Sequence, residues 1–380
     1  MTRVSGEVAI VGIGWTPQGE LPGQSPELTS VNAIKAALKD AGIDRKTVDG
    51  LVACKSVQGT NSDVDIGPLL GINPRYSQSL DYGSCSFSLH LAVQAIVSEM
   101  ADTLVLCFGS DSRSGKLSFA TGYGHSPAVT LAHASGLMHV AGMAALGLQR
   151  HKSKYGTTDE QFGHIAVGQR EWAQMNPLAL FRDPLTMDDY LSRPYMVEPI
   201  RREDVTMISD GGVAVVVTRA DRVGEFRNEP VYLVGMAEQS ALTGDYEPGY
   251  LDRLFLQAMA EQIWSTTGLG PTDIDLLYIQ DPTAFWVLQV LEYFGFAPVG
   301  DGGPWLAEGH TRPGGDLPIN TNGGQLSESY MWGWLHLVEA VQQLRGNAGQ
   351  RQVVAPEIAM YCSTQGWQKG GATILSTHKL

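Results

Sequence analysis

Residues 83–101 read GSCSFSLHLAVQAIVSEMA, and the predicted fold is organised around this stretch. The small and polar residues at its start suit a turn followed by a helix cap. Apolar residues then recur every three or four positions, which predicts an amphipathic helix whose apolar face packs against a hydrophobic core. They are Leu89, Ala92, Val93, Ile96, Val97 and Met100. The N-terminus of this helix would present unpaired N–H groups and partial positive charge.

Cys85 lies in the first turn of the predicted helix. A helix N-terminus can lower the pKa of a thiol, and its N–H groups can hold an oxyanion. Two interpretations follow from the sequence. Cys85 is either a reactive thiol or a small buried residue without a chemical role.

The composition sets limits on the class of protein. A chain of 380 residues is long for one core, which indicates two domains or one duplicated domain. Hydrophobic residues make up 43% and charged residues 17%, as in globular proteins. Neither an apolar run of about 18 residues nor a signal-peptide cleavage region occurs, so we predict a cytoplasmic protein without a membrane partner. The net charge of −14 argues against nucleic acid as a partner.

Several common motifs are missing from the sequence. There is no dinucleotide fingerprint after the first predicted strand, no Walker loop and no Gly-x-Ser-x-Gly. The scattered cysteines have neither zinc spacing nor a disulfide pattern, so we predict free thiols, no metal site and no cofactor bound by this chain. They are Cys54, Cys85, Cys107 and Cys362. Arg201 and Arg202 are candidates for a local basic patch that an anionic ligand would need.

The order of elements in the first half of the chain returns in the second. Residues 8–14 (VAIVGIG) and 231–237 (VYLVGMA) each predict a buried strand, and each is followed by an amphipathic helix and another strand. Further on, HLAVQAI at 90–96 pairs with HLVEAVQ at 336–342. Repeated matches in one order predict two packed β-α-β-α-β copies in an α/β fold. The predicted halves are residues 1–230 and 231–380.

A long segment of the first half, from about 110 to 204, has no counterpart in the second half. It is rich in histidine and proline, which indicates an insertion of helices and loops over the centre of the molecule. Long insertions often carry a binding site. His125, in the glycine-rich sequence GYGHSP, is therefore a candidate substrate-binding residue.

Duplication would bring two helix N-termini to one pocket, the first at 84–86 and the second near 328–330. The second end follows LPINTNGGQLSESY, in which Asn320, Gly323 and Gly324 would let the backbone approach a ligand closely. Tyr330 occupies the position that Ser84 has in the first half. We therefore expect Ser84 to bind substrate and Tyr330 to take part in the reaction.

Two predicted strands end in groups that can do chemistry. Gln280 and Asp281 follow one strand, in the loop IQDPTAF, and Cys362 ends another. Ligands in α/β sheets usually bind at the carboxyl ends of strands. These three residues are therefore candidate catalytic residues.

These features together resemble the thiolase superfamily over essentially the whole chain. The similarity is greatest to the sterol-carrier-protein-x branch, often labelled lipid-transfer proteins, and especially to bacterial aldolases that shorten steroid side chains. VAIVGIG, the helix at 90–96, SDGGVAVVV at 209–217 and LPINTNGGQLSESY carry the resemblance, and the last is the most specific. It implies a thiolase fold, in which duplicated halves form five layers, α-β-α-β-α.

The sequence departs from true thiolases at their catalytic positions. An ungapped alignment of the helix places Tyr82 where thiolases have the nucleophilic cysteine, and Cys85 where they have glycine. Pro282 replaces the loop histidine, and only Cys362 falls near a thiolase catalytic position. These departures weigh against Claisen chemistry, which requires a thiolate to carry the acyl group.

An aldolase requires no acyl carrier. It needs a base for the proton of a β-hydroxyl group and donors that hold the enolate of the thioester. In the steroid aldolases two tyrosines do the proton work; Tyr330 matches one, and Gln280, which cannot act as a base, occupies the other position. Tyr82 is our candidate substitute, and backbone N–H groups near Ser84 and Gly324 would hold the enolate. The resemblance implies retro-aldol cleavage of a β-hydroxyacyl-CoA with a bulky, steroid-like or aromatic tail.

Two alternatives stay open. The first is a degradative β-ketoacyl-CoA thiolase, an acyltransferase with Cys85 as nucleophile and Cys362 as acid and base. The second is a non-catalytic scaffold or lipid-binding subunit. The resemblance also implies a homodimer, coenzyme A as part of the substrate, and a small partner subunit of zinc-ribbon and OB-fold type.

Overall fold

The computed structural model describes residues 5–81, 85–117, 134–137, 140–242, 255–365 and 368–380. The strands are β1 (Val8–Trp15), β2 (Gly50–Cys54), β3 (Tyr76–Leu80), β4 (Thr103–Asp111), β5 (Tyr195–Val197), β6 (Ile200–Arg201), β7 (Asp210–Arg219), β8 (Val231–Ser240), β9 (Leu276–Ile279), β10 (Ile358–Gln365) and β11 (Lys369–Ser376). The helices are α1 (Pro26–Ala41), α2 (Asp63–Leu70), α3 (Cys85–Val97), α4 (Val140–Tyr155), α5 (Asp159–Gln174), α6 (Met187–Ser192), α7 (Phe255–Thr267), α8 (Ala284–Tyr293), α9 (Gly302–Ala307), α10 (Gly324–Ser327) and α11 (Trp334–Leu344). Short 3₁₀ turns occur at Arg45–Thr47, Arg202–Asp204, Val223–Glu225, Pro271–Asp273 and Gly349–Arg351.

Local sequence signals account for the boundaries of the first helix. The Ser25 side chain accepts a hydrogen bond from the Leu28 N–H and caps α1, and Pro26 suits its first turn. Gly42 ends the helix in the left-handed conformation, with φ of 75°. The strands predicted at 8–14 and 231–237 are confirmed as β1 and β8.

The sheet has the order β3-β2-β4-β7-β1-β8-β11-β10-β9. β1 and β8 lie next to each other in the middle and pair antiparallel, with Ala9 opposite Tyr232. Outward from β1 come β7, β4, β2 and β3; outward from β8 come β11, β10 and β9, and then a parallel bridge between Leu277 and Ile319 in the place of β3. The same topology on both sides confirms the predicted duplication. The boundary between residues 230 and 231 stays a prediction.

The side chains of the strands alternate between two faces and so define five layers. α3 and α11 pack in a central core against strands of both halves, for example through Leu89 and Leu337. α1 and α2 cover the outer face of the first half, and α7 and α8 cover that of the second. The predicted α-β-α-β-α arrangement is confirmed.

The described part of the insertion packs on the second half of the molecule. His151 on α4 lies 2.9 Å from the carboxylate of Glu292 on α8. The Arg201 side chain, expected to be available for an anionic ligand, is buried and pairs with Asp159 at 3.0 Å. That expectation is wrong for Arg201, because its charge is already paired with Asp159 within the insertion. None of the described helices is long and apolar enough to cross a membrane.

The second helix of the central core begins later than the sequence repeat predicts. α11 starts at Trp334, not near 328–330, because Trp332 and Gly333 have positive φ values of 48° and 78°. Left-handed backbone does not continue a right-handed helix. Tyr330 therefore lies in an irregular segment between α10 and α11.

Candidate active site

Cys85 is the first described residue of α3, and its side chain is fully buried in the central core. Burial raises the pKa of its thiol well above the usual range, and the neighbouring Tyr361 hydroxyl offsets this only in part. The thiol therefore stays protonated at neutral pH, although it lies at a helix N-terminus. This state does not suit an acyl-carrying nucleophile, which must be a thiolate.

Cys362 lies within β10 and faces away from Cys85; the prediction that it ends a strand is wrong, because the pairing with β11 continues to Gln365. The Cys362 side chain belongs to the core of the outer layer, with Met360 and Ile279, whereas Cys85 belongs to the central core. Burial raises the pKa of the Cys362 thiol far above its usual range. The structure therefore does not bring together the two thiols that the thiolase alternative requires, and their predicted roles remain untested.

Asp281 fixes the loop that leads to Tyr330. Its buried carboxylate accepts hydrogen bonds from the Gln325 N–H at 2.9 Å and the Leu326 N–H at 3.2 Å, so it caps the start of α10. The same carboxylate lies 2.8 Å from Nε2 of His336 on α11. Because its oxygens already accept these three donors, the geometry gives Asp281 a positioning role.

The glycine loop is packed against the protein itself. The amide of Asn320 bonds in both directions to the backbone of Ile279, at 2.8 and 2.9 Å. The Gly324 N–H donates to Oδ1 of Asn322, and a Cβ built on Gly324 would lie 2.2 Å from Oε1 of Gln169. A Cβ on Gly323 would likewise clash with α5. Close approach of α5 thus explains the two glycines, and the predicted contacts of these residues with substrate stay predictions.

A buried polar network beneath this loop includes residues that sequence reasoning missed. Nδ2 of Asn322 lies 3.0 Å from Nδ1 of His336 and also donates to Glu328, whose other oxygen accepts from Asn176 at 2.8 Å. Because Asn322 donates to Nδ1, His336 carries its proton on Nε2 and donates it to Asp281. Burial raises the pKa of Glu328 to about 8. His336 had a sequence signal because it pairs with His90 in the repeat, and Asn322 and Glu328 lie in the LPINTNGGQLSESY motif, whereas Asn176 had none.

Tyr330 and Gln280 both contribute to the buried interior. The centre of the Tyr330 ring lies 5.5 Å from the centre of the Trp332 ring. The backbone N–H of Tyr330 donates to Oγ of Ser209. Oε1 of Gln280 accepts from the Thr364 N–H at 2.9 Å, whereas Nε2 has no hydrogen-bond partner among the described residues. Gln280 thus presents a buried donor. The remaining predicted site residues, Tyr82, Ser84 and His125, lie outside the described residues.

The chemistry that this region can support follows from its groups. Within the described ranges no group of three or more His, Cys, Asp or Glu side chains could hold a metal ion. The region offers the protonated thiol of Cys85, the phenol of Tyr330 and the buried amide donor of Gln280. Such groups suit the stabilisation of a developing oxyanion and the movement of one proton.

Comparisons with known proteins agree with this description. Residues 253–377 match the family model described as "Thiolase C-terminal domain-like". The chain is 31% identical over 366 residues to 17-hydroxy-3-oxo-4-pregnene-20-carboxyl-CoA lyase of Mycobacterium tuberculosis, covering 91% of this chain and 93% of that relative. The chain belongs to the thiolase superfamily. Within the superfamily it falls in the branch of the steroid side-chain aldolases, because the steroid side-chain-cleaving aldolase of Thermomonospora curvata is also 31% identical, over 92% of this chain and 93% of the relative.

Solved structures show the same fold. The structure titled "Ltp2-ChsH2(DUF35) aldolase" superposes with a TM-score of 0.90 at 28% identity and covers all of both chains. Human mitochondrial 3-ketoacyl-CoA thiolase superposes with a TM-score of 0.74 at 16% identity, over 99% of both chains, which supports the thiolase fold alone.

Proposed function

We propose that this chain catalyses the retro-aldol cleavage of a β-hydroxyacyl-CoA with a bulky, steroid-like tail. The observation that carries the proposal is its 31% identity, over more than nine-tenths of the chain, to a lyase and an aldolase of steroid side chains. The protonated state of Cys85 supports it, because an aldol cleavage forms no acyl-enzyme. Coenzyme A enters as part of the substrate.

The reaction needs two proton transfers and one stabilised anion. A base takes the proton of the β-hydroxyl group, the β-carbon forms a carbonyl group, and the bond between the α- and β-carbons breaks. Its electron pair passes into the enolate of the thioester. A proton delivered to the α-carbon then gives the shortened acyl-CoA, and the ketone or aldehyde leaves.

Within this reaction we assign Tyr330 and Tyr82 to proton transfer, with backbone N–H groups near Ser84 holding the enolate. The Gly324 N–H is a weaker candidate for that task, since it already donates to Asn322. Gln280 presents a buried amide donor directly after β9, and we assign it, in place of the Gly324 N–H, to hold the enolate.

We also propose that the enzyme works as a homodimer with a small zinc-ribbon and OB-fold partner. The solved aldolase Ltp2-ChsH2(DUF35) carries two component names, which supports a second subunit. β3 ends the sheet as an edge strand, and a second copy could extend the sheet there. Free cysteines support a reducing compartment, which we take to be the cytoplasm.

One assay separates the candidate functions. The purified chain, with and without the partner, is incubated with 17-hydroxy-3-oxo-4-pregnene-20-carboxyl-CoA and, separately, with a β-ketoacyl-CoA plus free CoA. Release of a ketone from the first substrate supports the aldolase. Consumption of free CoA with the second supports the thiolase alternative, and binding without turnover supports the scaffold.

A pair of tyrosine variants tests the role of Tyr330. We expect Tyr330→Phe to lower kcat by about 10²- to 10⁴-fold, the usual contribution of an acid or base. Tyr278→Phe is the matched control, since the Tyr278 hydroxyl is also buried but bonds to Thr321 at 2.8 Å. If Tyr330→Phe cleaved the substrate as fast as the control, the assignment would be wrong.

A further inference from the structure

Tyr361 lies on β10 beside Tyr278 on the parallel strand β9, and the two residues are in register. Both side chains point into the central core, where α3 and α11 lie. Tyr278 is the second-last residue of β9, so the pair lies near the carboxyl end of that strand, where ligands in α/β sheets usually bind.

The two tyrosine hydroxyls differ in their partners. The Tyr278 hydroxyl bonds to Thr321. The Tyr361 hydroxyl is fully buried beside Cys85 and Ser363, but within the described chain it makes no hydrogen bond of good geometry. A Cβ built on Gly333 would lie 2.1 Å from Oη of Tyr361, so the hydroxyl faces the end of the segment that carries Tyr330. A buried hydroxyl without a partner lowers folding stability, which makes such a group a candidate for binding a ligand.

Further buried donors without partners among the described residues lie directly after β9, on β10 and on α3. Nε2 of Gln280 is one, and its direction is fixed because Oε1 accepts from the Thr364 N–H. The hydroxyls of Ser86 on α3 and Ser363 on β10 are two more, and both lie near Gly371. A Cβ built on Gly333 would meet both Gln280 and the Tyr361 hydroxyl, and Ser363 also lies beside that hydroxyl, so donors from several elements flank Tyr361.

We propose that the Tyr361 hydroxyl donates a hydrogen bond to the thioester oxygen of the substrate as the enolate forms. The inference rests on the proposed aldol cleavage. The bond between the α- and β-carbons breaks, its electron pair moves onto that oxygen, and Tyr361 keeps its proton throughout. Burial, together with the neighbouring Cys85, raises the pKa of Tyr361 well above its usual value of 10, so the group acts as a donor and not as a base.

The test compares Tyr361→Phe with Tyr278→Phe in the complex of the chain with its partner. Ketone release from 17-hydroxy-3-oxo-4-pregnene-20-carboxyl-CoA gives kcat and KM, and thermal unfolding gives the midpoint. For Tyr361→Phe we expect kcat to fall about 10²- to 10³-fold, the usual effect of removing one oxyanion donor, with an unchanged or higher midpoint. For Tyr278→Phe we expect kcat within about threefold of wild type and a lower midpoint, because the buried bond to Thr321 is lost while Thr321 keeps its bonds to Glu339 and Gln343.

Each outcome decides between the possibilities. If the wild-type complex releases ketone and Tyr361→Phe does so equally fast, the role of Tyr361 is refuted while the aldol function stands. A lower unfolding midpoint for Tyr361→Phe together with a loss of kcat no larger than in the control would also refute it. If the wild-type complex releases no ketone, the proposed function fails, and the role of Tyr361 fails with it.

Discussion

The buried carboxylate of Asp281 offers the sharpest test of how the loop before Tyr330 is held. In Asp281→Asn one oxygen remains, which can still accept from the Gln325 N–H and from His336. The new amide NH₂ group would face the Leu326 N–H, which then lacks an acceptor. We therefore expect the substitution to destabilise the protein and to displace α10 and the segment that carries Tyr330.

The size of the effect follows from these three hydrogen bonds. A buried donor left without a partner costs about 1–3 kcal/mol, and each bond to a charged acceptor loses about 1 kcal/mol when the acceptor becomes neutral. The sum is a loss of about 3–5 kcal/mol in the free energy of unfolding, a large part of the total stability of a typical protein. Since Tyr330 moves, kcat for ketone release should fall as well.

Urea unfolding and steady-state kinetics measure the two effects. The matched control is Asp275→Asn, because Asp275 also accepts two backbone N–H groups, from Glu357 and Ile358, but is exposed to solvent. We expect the control to lose at most about 1 kcal/mol and no activity. Equal losses of stability in the two variants would refute the capping role of Asp281.

Three further predictions concern packing, ionisation and reactivity. Gly324→Ala should lower the free energy of unfolding, measured in urea, by about 2–5 kcal/mol, because φ is 65° and Gln169 fills the space beside the glycine. The control Gly346→Ala has a similar φ of 72° but faces open space, so it should lose only about 1–2 kcal/mol. Equal losses would contradict the packing argument. Burial raises the pKa of Asp204 to about 7, so the native state keeps a proton that the unfolded chain releases above pH 3.8. The free energy of unfolding should therefore fall as the pH rises from about 4 to 7, by up to about 1.4 kcal/mol per pH unit. Urea unfolding of Asp204→Asn should show a shallower slope over this range, and an unchanged slope would assign it to another group. Iodoacetamide at pH 7.5 should leave Cys85 unmodified in the folded protein but label it in urea, as judged by peptide mass spectrometry; labelling of the folded protein would favour the thiolase alternative.

The sequence was sufficient to predict the architecture. Strand and helix periodicities located β1, β8 and α3, and the repeated order of motifs predicted two copies of one topology. These signals are local or are carried by the order of elements along the chain. They also placed Cys85 at the start of a helix in the central core.

Only the tertiary structure decided what each candidate side chain contacts. Adjacent residues of a strand point to opposite faces, so Cys362 and Tyr361 lie in different cores although they are neighbours in the chain. Asn176 and Glu328 are 152 positions apart, and no pattern in either segment predicts that they meet. The pKa of a buried group depends on desolvation and on such distant partners, which is why the sequence could place Cys85 at a helix end but could not show that its thiol stays protonated.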